Sequence, residues 1–127
     1  MNIYLPALFL FYYLCSVLRN VMKTKQILLI NDMAGYGKVA TAAMLPILSY
    51  MGHPTYNLPT ALVSNTLDYG KFNIMDTTDY ITGVFPVWKE LGFKFDAIST
   101  GFIVSERQAR IVSTYCREQE AQGTTIF

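Results

Sequence analysis

The sequence predicts an α/β fold, a partial doubly wound parallel sheet flanked by helices. Three observations carry this expectation. The short apolar runs "QILLI", "FDAISTGF" and "TTIF" have the continuous hydrophobic character of strands buried on both faces. From Lys25 onward such runs alternate with longer segments of helical character, as a parallel sheet with crossover helices requires. Finally, a glycine-bearing stretch, "NDMAGYGKVA" at residues 31–40, stands between the first strand and the first helix, where the backbone of such folds turns past a ligand.

Taken in order, the chain opens with "MNIYLPALFLFYYLCSVL", residues 1–18, which carry no charge and are followed by Arg19, Lys23 and Lys25. Residues 1–21 read in three ways: an extension ahead of a real start at Met22, a membrane anchor of minimal length, or a signal peptide. The last lacks a basic start and a small-residue cleavage site. Residues 22–127 form the folded part. After "QILLI", "KVATAAMLPILSYM" reads as a helix ended by Gly52, with Pro46 expected to bend or disrupt it. "TYNLPTALVS" reads as a short second strand running into a loop, and "SNTLDYGKFNIMD" as an extended loop or flap. "DTTDYITGVFPVWKELG" offers Asp76 as a cap and a face of Tyr80, Val84, Trp88 and Leu91. "SERQARIVSTYCREQEAQG" is the clearest helix: Ser105 and Gln108 make a capping box, Ile111, Val112, Tyr115 and Cys116 a stripe, and Gly123 the stop. "TTIF" then opens another strand, either a terminal edge or the point at which a longer protein continues. The second is the expectation, together with an exposed sheet edge and poor solubility.

Composition narrows the function. A chain of 127 residues, 52% of them hydrophobic, can bury one core. Its formal charge of +1 comes from 10 Lys+Arg against 9 Asp+Glu without basic runs. That is neither the footprint of a nucleic-acid binder nor that of a polybasic membrane sensor. Cys15 and Cys116 are far apart and lack the spacing of a zinc module or disulfide framework, and Cys116 falls on a buried helix face as a small hydrophobe. His53, the single histidine, sits in the turn "MGHP" and reads as structural.

The glycines admit three readings. A phosphate-binding P-loop requires Gly where Asp32 stands and Ser or Thr where Val39 stands, so it fails. "GYGKVA" matches a dinucleotide fingerprint formally, but no acid follows about 20 residues on to hold a ribose. The third reading collects the carboxyl ends of the strands: Asn31 and Asp32, Thr60 to Asn65, and Thr100 to Phe102. These supply an acid, amides, hydroxyls and an aromatic face for a small polar ring. Against it stands the plainer possibility that Asp32 caps a helix and Phe102 is core.

"ILLINDMAGYGKVATAAMLPILSYMG", "LPTALVSNTLDYG", "FDAISTGFIVSERQ" and "GTTIF" together resemble, in order, the N-terminal half of pyridoxal kinases, closest to the pyridoxamine kinase-like group of the ribokinase-like superfamily. The resemblance implies ATP-dependent phosphorylation of the 5'-hydroxymethyl of pyridoxal, pyridoxine or pyridoxamine, with Mg²⁺ and often a monovalent cation. It also implies a cytoplasmic, homodimeric full-length enzyme. By position it assigns Asp32, Val63, Thr66 and Phe102 to the vitamin, Asp32 where many members have Ser and Phe102 where many have Tyr. "SNTL" replaces the family's S-N-H-T, which displaces the Thr that Thr66 would stand for. Gly35 and Gly37 become loop glycines passing the ring. The family's catalytic Asp and ATP site lie beyond Phe127, so the chain alone is expected to be inactive. The alternative is a non-catalytic half-domain that binds a ligand or partner, tethered to a membrane if residues 1–18 are an anchor.

Overall fold

The computed structural model describes Tyr13 and residues 24–127, so the three readings of residues 1–21 and Cys15 lie outside the described residues apart from Tyr13, which is helical. The elements are β1 (Ile27–Tyr36), α1 (Thr41–Tyr50), β2 (Thr55–Asn65), a 3-10 turn (Leu67–Tyr69), β3 (Ile74–Asp76), α2 (Thr78–Glu90), β4 (Ala97–Thr100), α3 (Glu106–Glu120) and β5 (Thr125–Ile126). They make one five-stranded sheet of order β3-β2-β1-β4-β5. β1 pairs parallel with β2 and β4, and β4 parallel with β5, while β3 runs antiparallel to β2, so the sheet is mixed at that edge.

The chain moves from β1 to β2 in one direction and then returns past β1 to β4 and β5. Because crossovers between parallel strands are right-handed, the two directions put α1 on one face and α2 with α3 on the other. The core lies under the second pair: Leu28, Ile30, Leu58 and Ile98 of the sheet meet Ile81, Val84 and Phe85 of α2 and Val112, Tyr115 and Cys116 of α3. Phe85 and Tyr115 stack with ring centroids 3.9 Å apart. Burial pushes the Tyr115 hydroxyl up to about 12 and raises the Cys116 thiol, as expected of an inert structural cysteine.

Several local expectations change. The buried stripe of α2 is Ile81, Val84 and Phe85 with Trp88 beside it, whereas Tyr80 and Leu91 point to solvent. Pro46 does not break α1. It lies on an exposed side, where water can take the carbonyl its missing N–H leaves unpaired. β2 is an eleven-residue strand rather than a short one. The N-cap of α2 is Thr77, whose side chain makes no cap bond, rather than Asp76; one residue earlier, Asp76 accepts hydrogen bonds from the Thr78 hydroxyl and amide (2.7 Å for the amide), and these two bonds hold its carboxyl below the usual range. The capping box of α3 is half formed: Ser105 Oγ accepts from the Gln108 amide at 3.2 Å, but the Gln108 side chain is used elsewhere. His53 Nδ1 accepts from the Lys25 amide at 3.1 Å, a structural role. Among the described residues no helix is long and apolar enough to cross a membrane.

Candidate functional site

β1 is the pivot of the sheet, with β2 on one side and β4, the strand reached after the return, on the other. At such a switch point the connections diverge and leave a crevice beyond the carboxyl ends of the strands. Asn31 and Asp32 stand midway along β1, just past the level at which its pairing with β4 ends, and Gly101 and Phe102 stand just past β4. Asn31 ties the two ends together. Its Oδ1 accepts from the Asp32 amide at 3.0 Å and from the Phe102 amide at 2.8 Å, while the Gly101 amide donates to the Ile30 carbonyl at 3.0 Å. The Asn31 side chain fills the space that a Cβ on residue 101 would need, so glycine is the residue that fits there.

On the other flank the pairing of β1 with β2 slips. Asn31 opposes Pro59 but Met33 opposes Leu62, so Thr60 and Ala61 together face Asp32. This is a β-bulge, and Pro59, which cannot donate to a ladder, is the sequence signal for it. The carbonyls it frees are taken from the helical layer. Thr77 Oγ1 donates to the Pro59 carbonyl and the Thr77 amide to that of Thr60. Gln108, with no exposed surface, donates from Nε2 to the Thr60 carbonyl at 2.8 Å and to Thr78 Oγ1 at 3.2 Å, and its Oε1 accepts from the Val104 amide at 3.0 Å. The backbone facing Asp32 is thus held by three elements. Thr77 and Gln108 escaped the sequence reading as supports of the site, since a buried glutamine in a helix carries no local signal of its partners.

The candidate residues divide into two groups. Strand alternation places Asp32, Ala34 and Val63 on one side of the β1–β2 pair, Val63 opposite Ala34 and nearly buried. Phe102 lies beside Asp32 through Asn31, with its ring partly open to solvent. Thr66 is elsewhere. Its amide donates to the Tyr36 carbonyl at 3.0 Å, and its methyl occupies the space beside Gly37, whose φ of +112° turns the chain toward α1. From Asp32 to Tyr36 the strand rises roughly 13 Å, so Thr66 and Gly37 form a separate tip. Gly35 is not a loop glycine. β1 continues to Tyr36, paired with β2, and a Cβ on residue 35 would stand 2.9 Å from the Ser64 carbonyl oxygen. The glycines therefore allow two strands to come close and a turn to follow, and "NDMAGY" is strand rather than loop.

No protein-family model and no curated protein matches the chain. Solved structures do. A Bacteroides thetaiotaomicron protein assigned to the phosphomethylpyrimidine kinases, solved with pyridoxal, is 38% identical with a TM-score of 0.77, over 82% of this chain and 36% of its own. Pyridoxal kinase from Lactobacillus plantarum is 26% identical with a TM-score of 0.70, over 74% of this chain and 34% of its own. Pyridoxal kinase from Leishmania donovani, in complex with ADP and pyridoxine, shares the fold at 21% identity and a TM-score of 0.70. Fold and switch-point crevice together define a part of a ribokinase-like α/β domain. Within that class the chain resembles the pyridoxal kinases, consistent with an N-terminal half, and it spans little more than a third of the length of the structures it matches.

Proposed function

We propose that this chain carries the vitamin-binding side of a kinase acting on the 5'-hydroxymethyl of pyridoxal, pyridoxine or pyridoxamine, with Asp32, Val63 and Phe102 around the ring. The observation that supports it best is the 38%-identical structure holding pyridoxal, taken with a switch point that gathers an acid and an aromatic face beside a fixed backbone. Asp32 supplies a hydrogen-bond acceptor for the ring's polar substituents, Phe102 an exposed flat face, and Asn31 fixes the distance between them. Thr66 stands at the separate tip and would reach a ligand only if the tip folds over the crevice.

ATP, Mg²⁺ and a monovalent cation complete this proposal and are assigned no place on the residues described. Among them no three His, Cys, Asp or Glu side chains gather to hold a metal ion. In this reading polypeptide other than residues 24–127 holds the nucleotide and metal, and no phosphoryl-transfer step runs through the residues described.

Isothermal titration of the whole chain with pyridoxine tests the reading, since pyridoxine has no aldehyde to condense with lysines. Saturable binding that weakens about tenfold in Asp32→Ala and in Phe102→Ala, each worth about 1.4 kcal/mol, is expected. Pyridoxine binding indifferent to both changes, or preference for a phosphomethylpyrimidine, would refute it.

A further inference from the structure

At the amino-terminal edge of the sheet lies a cavity of about 200 Å³ lined by Gln26, Tyr56, Trp88, Phe93, Lys94 and Phe95. It is remote from the switch point, since Gln26 and Asn31 are separated by about 17 Å of strand rise. The ending of α2 builds it. The Gly92 amide donates to the Lys89 carbonyl and the Phe93 amide to that of Trp88, the paired bonds that reverse a helix end and return a hydrophobic residue against its last turn. Phe93 accordingly meets Trp88 with ring centroids 6.4 Å apart. Two residues later Phe95 enters the core, 5.6 Å from Trp88 and 5.5 Å from Tyr56.

These rings are inclined at 53° to 63°, unlike the closed Phe85–Tyr115 stack at 8°, so they leave a wedge between them. Tyr56 and Phe93 keep 42% and 49% of their surface exposed. An aromatic cage usually attracts a cation. Here Lys94 lines the wall and makes no ion pair among the described residues, in contrast to Lys25, Lys89, Arg107 and Arg110. The one acid at the adjoining polar cavity, Asp96, is already engaged by the Gln26 amide at 2.8 Å and by Lys25 at 3.7 Å. A solvent-exposed lysine without an ion pair on the wall of an aromatic-lined cavity favours an anion attached to a flat apolar body. A cavity of about 150 Å³ accepts benzene, so this one has room for a single ring and one carboxylate.

We propose that this cavity is a second binding site, for a single-ring aromatic carboxylate, with the ring held between Tyr56, Trp88 and Phe93 and the carboxylate on Lys94. It is independent of the proposed vitamin site. Trp88 is the only tryptophan in the chain, which makes the site self-reporting. Titrating the full chain with phenylacetate should give a saturable change in tryptophan emission that persists in saturating pyridoxine. Lys94→Gln should weaken it about tenfold, as loss of a charge-assisted hydrogen bond does. Phe93→Ala, at a half-exposed position where folding should survive as checked by far-ultraviolet circular dichroism, should abolish it. No saturable change, an equal response to benzylamine, an unaltered affinity in Lys94→Gln, or competition by pyridoxine would overturn the proposal.

Discussion

Where α2 and α3 cover the sheet, Leu28, Ile30 and Ile98 have lost all contact with solvent, and two stacked rings close the space between the helices. Where α1 lies, Thr41 is the one buried residue of ten, and Ile47 and Tyr50 remain 59% and 95% exposed. Both faces belong to the same sheet, and α1 is the most apolar of the three helices while α3 is mostly polar, yet the buried cluster lies under α2 and α3. The lesson is that apolar content does not locate a core. The spacing of apolar side chains against a facing layer does, and α1 spends its hydrophobic residues around its whole circumference.

Truncating one aliphatic side chain on each face should have very different costs. Ile98→Ala, at a fully buried position, should cost about 2–5 kcal/mol, whereas Ile47→Ala should stay within about 0.5 kcal/mol. Urea denaturation of the two variants decides it, and similar losses would mean that α1 is packed as firmly as α2. A middle-sized effect is expected from Gln108→Ala, which leaves the Val104 amide without its partner and the Thr60 carbonyl with only the long bond from the Thr77 amide at 3.4 Å. A cost of about 1–3 kcal/mol should accompany faster hydrogen exchange at Val104. Pyridoxine affinity should fall as well if the bulge holds Asp32 in place.

The smallest effect concerns alkaline pH. Tyr115 holds its proton more tightly when folded, at about 12 against an ordinary value of 10.0, so the unfolded chain ionises first. The stability this group contributes is complete below pH 10 and is lost as pH rises toward 12. Tyr115→Phe should flatten part of that decline in a pH series of thermal melts, with Cys116 contributing in the same direction.

Much of the architecture was legible in the sequence, because strand burial, helix caps and the β-α alternation are local. Ser105 as the start of α3 and Gly123 as its end needed only neighbouring residues. The boundary of β1 was not legible. "NDMAGY" has the composition of a turn, and it becomes strand because Met33, Ala34 and Tyr36 find partners on β2. The same limit affected the site. Asp32 and Val63 share one side of the β1–β2 pair and Phe102 is tied to Asp32 through Asn31, but Thr66 stands apart, since the length of β1 carries it away. The tie through Asn31 and the support from Gln108 span 71 and 48 residues, respectively, distances over which pattern reading has no purchase.

The bulge at Thr60 and Ala61 also acts as a half-period phase shift in β2. Side chains alternate with a period of two, so one additional residue exchanges the two faces for everything downstream. Leu58 points into the core on one parity, and Val63, on the other, still lies on the same side of the sheet. Were the intact β2 to run past β1 without the bulge, Ala61 would oppose Met33 and Leu62 would oppose Ala34, on the side where Val63 now stands. The bulge in the middle of β2 thus sets which of two aliphatic residues lies on that side, without altering either of them.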